Sequence, residues 1–391
     1  MKIAVLTHCN TKDNYGEVLQ GFALQHYLRN RGHDAYIVRY KPTYQSYVKE
    51  NSWVSLFSKL KYLLDIFGYL KARKNAALEN KLITYNLYNN PQRKFDEFRA
   101  KYLKMSEEQY TSIEQLRADP PKADVYICGS DQVWHDSLSQ INVAGWYLQF
   151  GDKRIKRISY APSIGREIEI DEVELFKKYL SCLDALSLRE KKVHKFCEDL
   201  GFKEAKIVCD PTLLLTADYY RNLFCVDADN VLVKPYVFFY TLNIQEKNEI
   251  FWDSIKTVID ENKWDVKSVG SSGYYQAKNI IPGSINILAT VEEWIQLISN
   301  SKLVVSTSFH AVVFSIILHK PFVSIPLKGR YAKANDRVEN LLDDLGLTSR
   351  ICKNPDDMKV IIKESIDWQV VDEKIESLRQ NAINYLINAG L

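Results

Sequence analysis

"STSFHAVVFSIILHKPFVSIP", residues 306–326, carries two changes of structure in one short stretch. The run 302–305 before it is strand-like, and it feeds into three small hydroxyl residues. His310 then opens a strongly apolar helical stretch, and after Lys320-Pro321 the run FVSIPL reads as a second strand. Continuous apolar runs of this length mark strands buried on both faces, and the longer stretch between them a buried helix. In sheets built from such units ligands gather at the carboxyl ends of strands, and His310 stands at one of those ends.

The same alternation extends outward in both directions. KIAVLT (2–7) is a strand, 15–31 carries apolar residues at helical spacing with Gly32 as its stop, and DAYIVRY (34–40) is the next strand. This βαβ unit predicts parallel strands with a right-handed crossover. Strands follow at 123–129, 157–163, 184–190 and 206–210, with a helix near 190–200. A second series begins after Pro235. It has strands at 236–242 and 265–271, helices near 246–262 and 291–299 with Thr290 as N-cap, then the opening stretch, a helix near 335–345 and a last helix near 371–388. The expected architecture is α/β: two Rossmann-like, doubly wound domains in tandem, at 1–228 and 229–365, with a terminal helix at 366–391. The cleft between them is the expected site. The alternation breaks at 43–121, which we read as a helical insertion in the first domain. Within it, apolar positions 53, 56, 57, 60, 63, 64, 67 and 70 keep helical spacing beside Lys59, Lys61, Lys71, Arg73 and Lys74. One amphipathic face serves either packing on the domain or contact with a membrane surface through 53–74.

Bulk composition sets limits. The 391 residues are 46% hydrophobic and 26% charged, with a net charge of +3. That is ordinary for a globular protein and implies no nucleic-acid partner. Seven cysteines without a CxxC pair fit reduced thiols and give no zinc site. No stretch reaches the roughly 18 uninterrupted apolar residues of a membrane span. The opening segment reads as a first strand and not a signal peptide, so the expected location is the cytoplasm, peripheral at the inner face of the membrane if the 53–74 helix is interfacial.

Several strand exits carry polar residues. HCNTKDNYGEVLQ (8–20) puts Asn10, Asn14, Gly16 and Gln20 at the start of a helix, where free N–H groups suit an anion or a sugar hydroxyl; a capped polar turn would look the same. CGSDQVWH (128–135) ends a strand in Gly129, Ser130 and Asp131. Trp134 and His135 follow as a sugar-stacking platform, although Ser130 or Asp131 could simply cap a helix. Arg189 ends an apolar strand and suits bidentate capture of phosphate or carboxylate, or else an ion pair with a neighbouring acid. His310 lies beside Ser306, Thr307 and Ser308 at a helix N-terminus, where a bound anion would hold the imidazole protonated and ready to donate. Beyond the next strand, Lys328, Arg330, Lys333 and Arg337 form a local anion trap or a solvated basic loop.

Taken together, NYGEVLQ, GSDQVW, SYAPSIG, SLRE, DPT and STSFHAVVFSIILHKPF, in this order over residues 1–345, resemble the polysaccharide pyruvyl transferase family. That resemblance implies a GT-B-like fold. It also implies transfer of a pyruvyl group from phosphoenolpyruvate to two hydroxyls of a sugar, giving a ketal and phosphate with no further cofactor. It implies functional roles for His310, Arg189 and a cation near Lys328 or Arg330. We therefore expect His310 and Arg189 to be catalytic, Lys328, Arg330, Arg337 and Ser308 to hold the donor, and Asn14, Tyr15, Gly16, Ser130, Asp131 and Trp134 to face the acceptor, a sugar or lipid-linked oligosaccharide. A glycosyltransferase using a nucleotide sugar in the same cleft is the alternative enzyme, and a non-catalytic sugar-binding protein the third reading.

Overall fold

A computed structural model describes residues 1–43, 91–224, 234–244, 247–270 and 281–391. The strands are β1 (Lys2–Leu6), β2 (Asp34–Tyr40), β3 (Met105–Tyr110), β4 (Val125–Cys128), β5 (Lys156–Ser159), β6 (Ser187–Leu188), β7 (Lys206–Ile207), β8 (Tyr236–Tyr240), β9 (Asp265–Ser268), β10 (Ile285–Asn286), β11 (Leu303–Ser306) and β12 (Phe322–Ser324). They form two five-stranded sheets, in the orders β3-β2-β1-β4-β5 and β10-β9-β8-β11-β12, and a small β6-β7 pair. Among the described residues all strand pairings are parallel; Val5 stands beside both Ile37 and Ile127, and Val305 beside both Phe239 and Val323. The bridge Ile158↔Ala185 carries the first sheet on toward β6. In each sheet the order reverses beside the first strand, between β1 and β4 and between β8 and β11. Crevices open at such points at the carboxyl ends of the strands.

The apolar runs explain the layers. β1 and β11 are buried almost throughout because helices cover both faces of each sheet. The helix Tyr15–Asn30 starts at Asn14, whose side chain accepts the Glu17 N–H, and ends before Gly32, which takes φ 85° as the C-terminal stop. The helix Phe309–Ile317 is buried at every position. One hydrophobic cluster runs from Val18 and Phe22 of the first half through Val312 and Phe314 of the second, so the two halves share a core; two further clusters pack the outer sheet faces. The helix Trp368–Asn388, capped by Asp367, returns to the first half, where Tyr385 donates to Ser159 O at 2.7 Å and Arg379 to Leu213 O at 2.7 Å.

The stretch 43–121 is not helical throughout. Most of it, including the 53–74 segment, lies outside the described residues. Its described part holds the helices Phe95–Tyr102 and Ile113–Ala118, and also β3, the edge strand of the first sheet. MSEEQY has no apolar run because Glu107, Glu108 and Gln109 are exposed at the edge, which conceals a strand from hydrophobic patterning. Among the described residues, no helix is long and apolar enough to cross a membrane.

Candidate active site

The hydroxyl residues after β11 anchor backbone. Ser306 donates to Tyr240 O and accepts the Ser308 N–H at 2.9 Å; Thr307 donates to Leu242 O at 3.0 Å and accepts its N–H at 2.7 Å. Ser308 is the N-cap of the helix Phe309–Ile317, yet its side chain makes no capping bond and lines the cleft instead. His310 follows in the first turn and is buried. Its ring packs on Gly16, in the first turn of the helix Tyr15–Asn30. A Cβ at residue 16 would lie 2.1 Å from His310 Nδ1. Only glycine lets these two helix N-termini meet, and that contact joins the halves at the site.

Four charged side chains surround the imidazole. Asp210, just after β7, lies with Oδ2 3.5 Å from His310 Nε2 and accepts from Arg189 at 2.5 Å. Its Oδ1 accepts the Thr212 N–H at 3.0 Å and the Thr212 hydroxyl at 2.7 Å. Arg189 also reaches Asp131 Oδ1 at 3.3 Å, where Arg337 arrives at 3.2 Å. Asp131 takes the left-handed backbone, φ 67°, that Asp tolerates better than most residues. Burial works against ionisation of Asp210. The charges of His310 and Arg189 and the Thr212 hydrogen bond outweigh burial and hold the carboxyl well below the usual range. Asp131 is likewise lowered against burial, by His310, Arg189 and Arg337. Glu190, next in sequence to Arg189, is raised by burial; the Arg189 charge and a Ser163 hydrogen bond oppose this only in part. Burial lowers Arg337, and the Arg189 charge adds to it. Among the described residues, Arg189 Nε, Arg337 Nε and His310 Nε2 are buried with no hydrogen-bond partner. Buried polar groups of this kind are costly to leave unmet.

A cleft of about 650 Å3 opens over this cluster between the two sheets, lined by Asn14, Asp131, His135, Ser308, His310 and Arg337 among others. Arg189 and Asp210 face a second cavity of about 50 Å3, and Phe309 and Arg337 line both spaces.

The structure thus brings together His310, Arg189, Arg337, Ser308, Asn14, Gly16 and Asp131. Ser130 is fully buried, donating to Ala161 O at 3.2 Å and approaching Asp210 Oδ2 at 3.4 Å, so it supports the cluster from beneath. Three acceptor expectations are corrected: Ser130, beneath the cluster, faces no acceptor, and two aromatic residues turn into the core. Tyr15 turns into the core between the halves, where its hydroxyl donates to Ala289 O at 2.7 Å and its ring stacks on Trp294 at 5.3 Å. Trp134 is fully buried, stacked on Tyr147 at 4.8 Å with its N–H given to Trp146 O at 3.0 Å. Neither can present a face to a sugar. Lys328 is exposed, with its ammonium 5.6 Å from the Phe251 ring, and does not line the cleft. Arg330 lies in the turn Gly329–Asn335, and its side chain is outside the described residues. His319, at the far end of the helix, pairs with Asp372 at 2.8 Å and stacks on Trp368, which makes it structural. Sequence reasoning missed Asp210, whose only signal was an acid at a strand exit before proline in CDPT. It also missed Phe309 and Glu190, each beside a residue already singled out.

The sequence pattern described as polysaccharide pyruvyl transferase matches residues 14–329. Among curated proteins none matches this sequence. Solved structures match over nearly the whole chain at low identity. A UDP-N-acetylglucosamine 2-epimerase from Rickettsia bellii is 10% identical with a TM-score of 0.51, covering 99% of this chain and 96% of that one. The UDP-GlcNAc 2-epimerase of Methanocaldococcus jannaschii is 12% identical with a TM-score of 0.52, covering 94% and 93%. Arabidopsis thaliana UGT89C1, complexed with UDP-L-rhamnose, is 9% identical with a TM-score of 0.50, covering 100% and 99%. These likenesses establish the GT-B fold. With the match spanning most of its length, the chain belongs to the polysaccharide pyruvyl transferase family.

Proposed function

We propose that this enzyme transfers a pyruvyl group from phosphoenolpyruvate to two hydroxyls of one sugar in a polysaccharide precursor, forming a cyclic ketal and releasing phosphate. The carrying observation is the convergence of His310 and Arg337 from the second half with Asp131, Arg189 and Asp210 from the first, at the head of an uncapped helix in the cleft. Phosphoenolpyruvate carries a phosphate and a carboxylate, and a guanidinium with a helix N-terminus is suited to both.

In this reading Arg337 and the first turn of the helix Phe309–Ile317 hold the donor, while Arg189 fixes Asp131 and Asp210. Asp210, 3.5 Å from His310 Nε2, stabilises the imidazolium, and His310 supplies the proton that the donor takes up. That proton goes to the methylene carbon of the donor, which becomes a methyl group and leaves cationic character on the adjacent carbon. One sugar hydroxyl adds there and returns its proton to His310. The bond from that carbon to the phosphate oxygen breaks, the second hydroxyl closes the ring, and its proton leaves with phosphate. The lipid-linked acceptor and peripheral attachment to the membrane belong to the same proposal, on the amphipathic sequence pattern of residues 53–74.

The test is a mass-spectrometric screen of acceptor oligosaccharides with phosphoenolpyruvate, with phosphate release followed in parallel. The expected product is the acceptor plus pyruvic acid less water. A nucleotide-sugar glycosyltransferase is the second reading, suggested by the fold shared with enzymes of UDP-sugars. Sugar transfer from a nucleotide sugar, with no reaction of phosphoenolpyruvate, would replace the first reading with the second.

A further inference from the structure

Arg189 and Arg337 both converge on one oxygen of Asp131, at 3.3 and 3.2 Å. Two guanidinium groups so close and so buried repel each other; Arg189 is also paired with Asp210 at 2.5 Å, whereas Arg337 meets the cluster's carboxylates at the shared Asp131 oxygen. A third group meets them. The Phe309 ring has the Arg189 guanidinium carbon over it at 5.0 Å from its centroid and that of Arg337 at 5.5 Å. Both distances lie within the ~6 Å range in which the negative face of an aromatic ring attracts a cation. The same ring meets His310 edge-on at 5.1 Å and 81°. It is 6% exposed and stands in the wall between the cleft and the small cavity behind it. An aliphatic side chain could fill this wall and serve the core as well. It could not attract two cations.

We infer that Phe309 is a positioning residue, whose π system draws Arg189 and Arg337 into one cluster and so holds Arg337 in place for the anionic groups of the donor. The inference rests on the donor reading above for its substrate, and on the ring geometry for the cluster. It assigns the ring electronic work in addition to apolar packing.

Fluorinated phenylalanines placed at position 309 separate the two roles, since they keep shape and apolar character while draining the negative face. Mono-, di- and pentafluoro rings should weaken phosphoenolpyruvate binding stepwise in calorimetry, to about tenfold at pentafluoro, with little change in Tm. Phe309→Leu should fall at the weak end of this series. A readout without ligand stands beside it: the Nε–H signals of Arg189 and Arg337, followed by NMR in selectively labelled protein, should exchange with solvent faster along the same series. Flat affinity together with flat exchange would overturn the inference, as would losses that simply track Tm. Faster exchange in a protein whose unsubstituted form does not bind phosphoenolpyruvate would uphold the cluster and remove that donor.

Discussion

Replacing Gly16 by alanine tests the junction on which the site is built. The new Cβ would lie 2.1 Å from His310 Nδ1, 2.3 Å from its Cγ and 2.6 Å from its Cβ. Ordinary contact begins near 3.4 Å, so relief requires a displacement of about 1.3 Å, the difference between 3.4 and 2.1 Å. His310 has little room to give, because its helix is buried at every position and its other edge faces Asp210. Forcing a methyl group into such a contact costs about 1–3 kcal/mol, partly offset by up to about 1 kcal/mol of helix propensity gained over glycine. Stability should therefore fall only modestly. Turnover should fall far more, since a misplacement of about 1 Å at a reacting group costs on the order of 100-fold. The assay is phosphate release at saturating donor, with Tm alongside. Gly21→Ala in the same helix is the control: its Cβ would meet Ile37 at 3.3 Å and Thr7 at 3.4 Å, contacts that a small shift relieves. Wild-type turnover in Gly16→Ala, or equal losses in both variants, would refute the reasoning.

Other perturbations probe separate parts of the site. Asp210→Asn strips the buried cluster of its main counter-charge and should cost about 3–5 kcal/mol in urea unfolding along with phosphate release; a loss below about 1 kcal/mol would mean that the pairing carries no weight. Glu17, in the first turn of the helix Tyr15–Asn30, is pushed up to about 8 from 4.5 by burial and by the charges of Asp131 and Asp13, against the opposing Thr11 N–H and Arg99. Between about pH 4.5 and pH 8 the unfolded chain gives up a proton that the fold retains, so stability should decline across that window and level off above it, and Glu17→Gln should flatten the decline. Persistence of the slope in the variant would place its origin elsewhere. Asp131 and Asp210 have the opposite sign: their contribution is present above the ordinary carboxylate range and is lost below about pH 4, outside the Glu17 window. Trp134→Phe should leave the acceptor KM unchanged while removing the hydrogen bond to Trp146 O, a loss of about 1 kcal/mol; a raised KM would return Trp134 to the acceptor site.

The parts of this fold that could be read from sequence are those set by local pattern. Buried runs such as KIAVL and LVVS show as strands because both faces are covered, and His310 was conspicuous because it interrupts such a pattern. The edge strand MSEEQY shows no such run, and β10 is two residues long. Site contacts made over long separations were not legible. Asp210 meets Arg189 across 21 residues and His310 across 100, and nothing in CDPT announces either partner. Tyr15 and Trp134 misled for the same reason. A helix start and a strand exit next to a crevice suggest exposure. Trp294 and Ala289 come from the other half of the chain to cover the first, and the turn Ile141–Tyr147 folds back over the second.

The most direct test is a crystal structure of the enzyme with phosphoenolpyruvate bound. The donor is expected in the cleft, with an anionic group within hydrogen-bonding distance of Arg337 and the first turn after Ser308, and the methylene carbon facing the His310 imidazole. A donor seated away from His310, or His310 and Arg337 contacting separate molecules, would contradict that expectation.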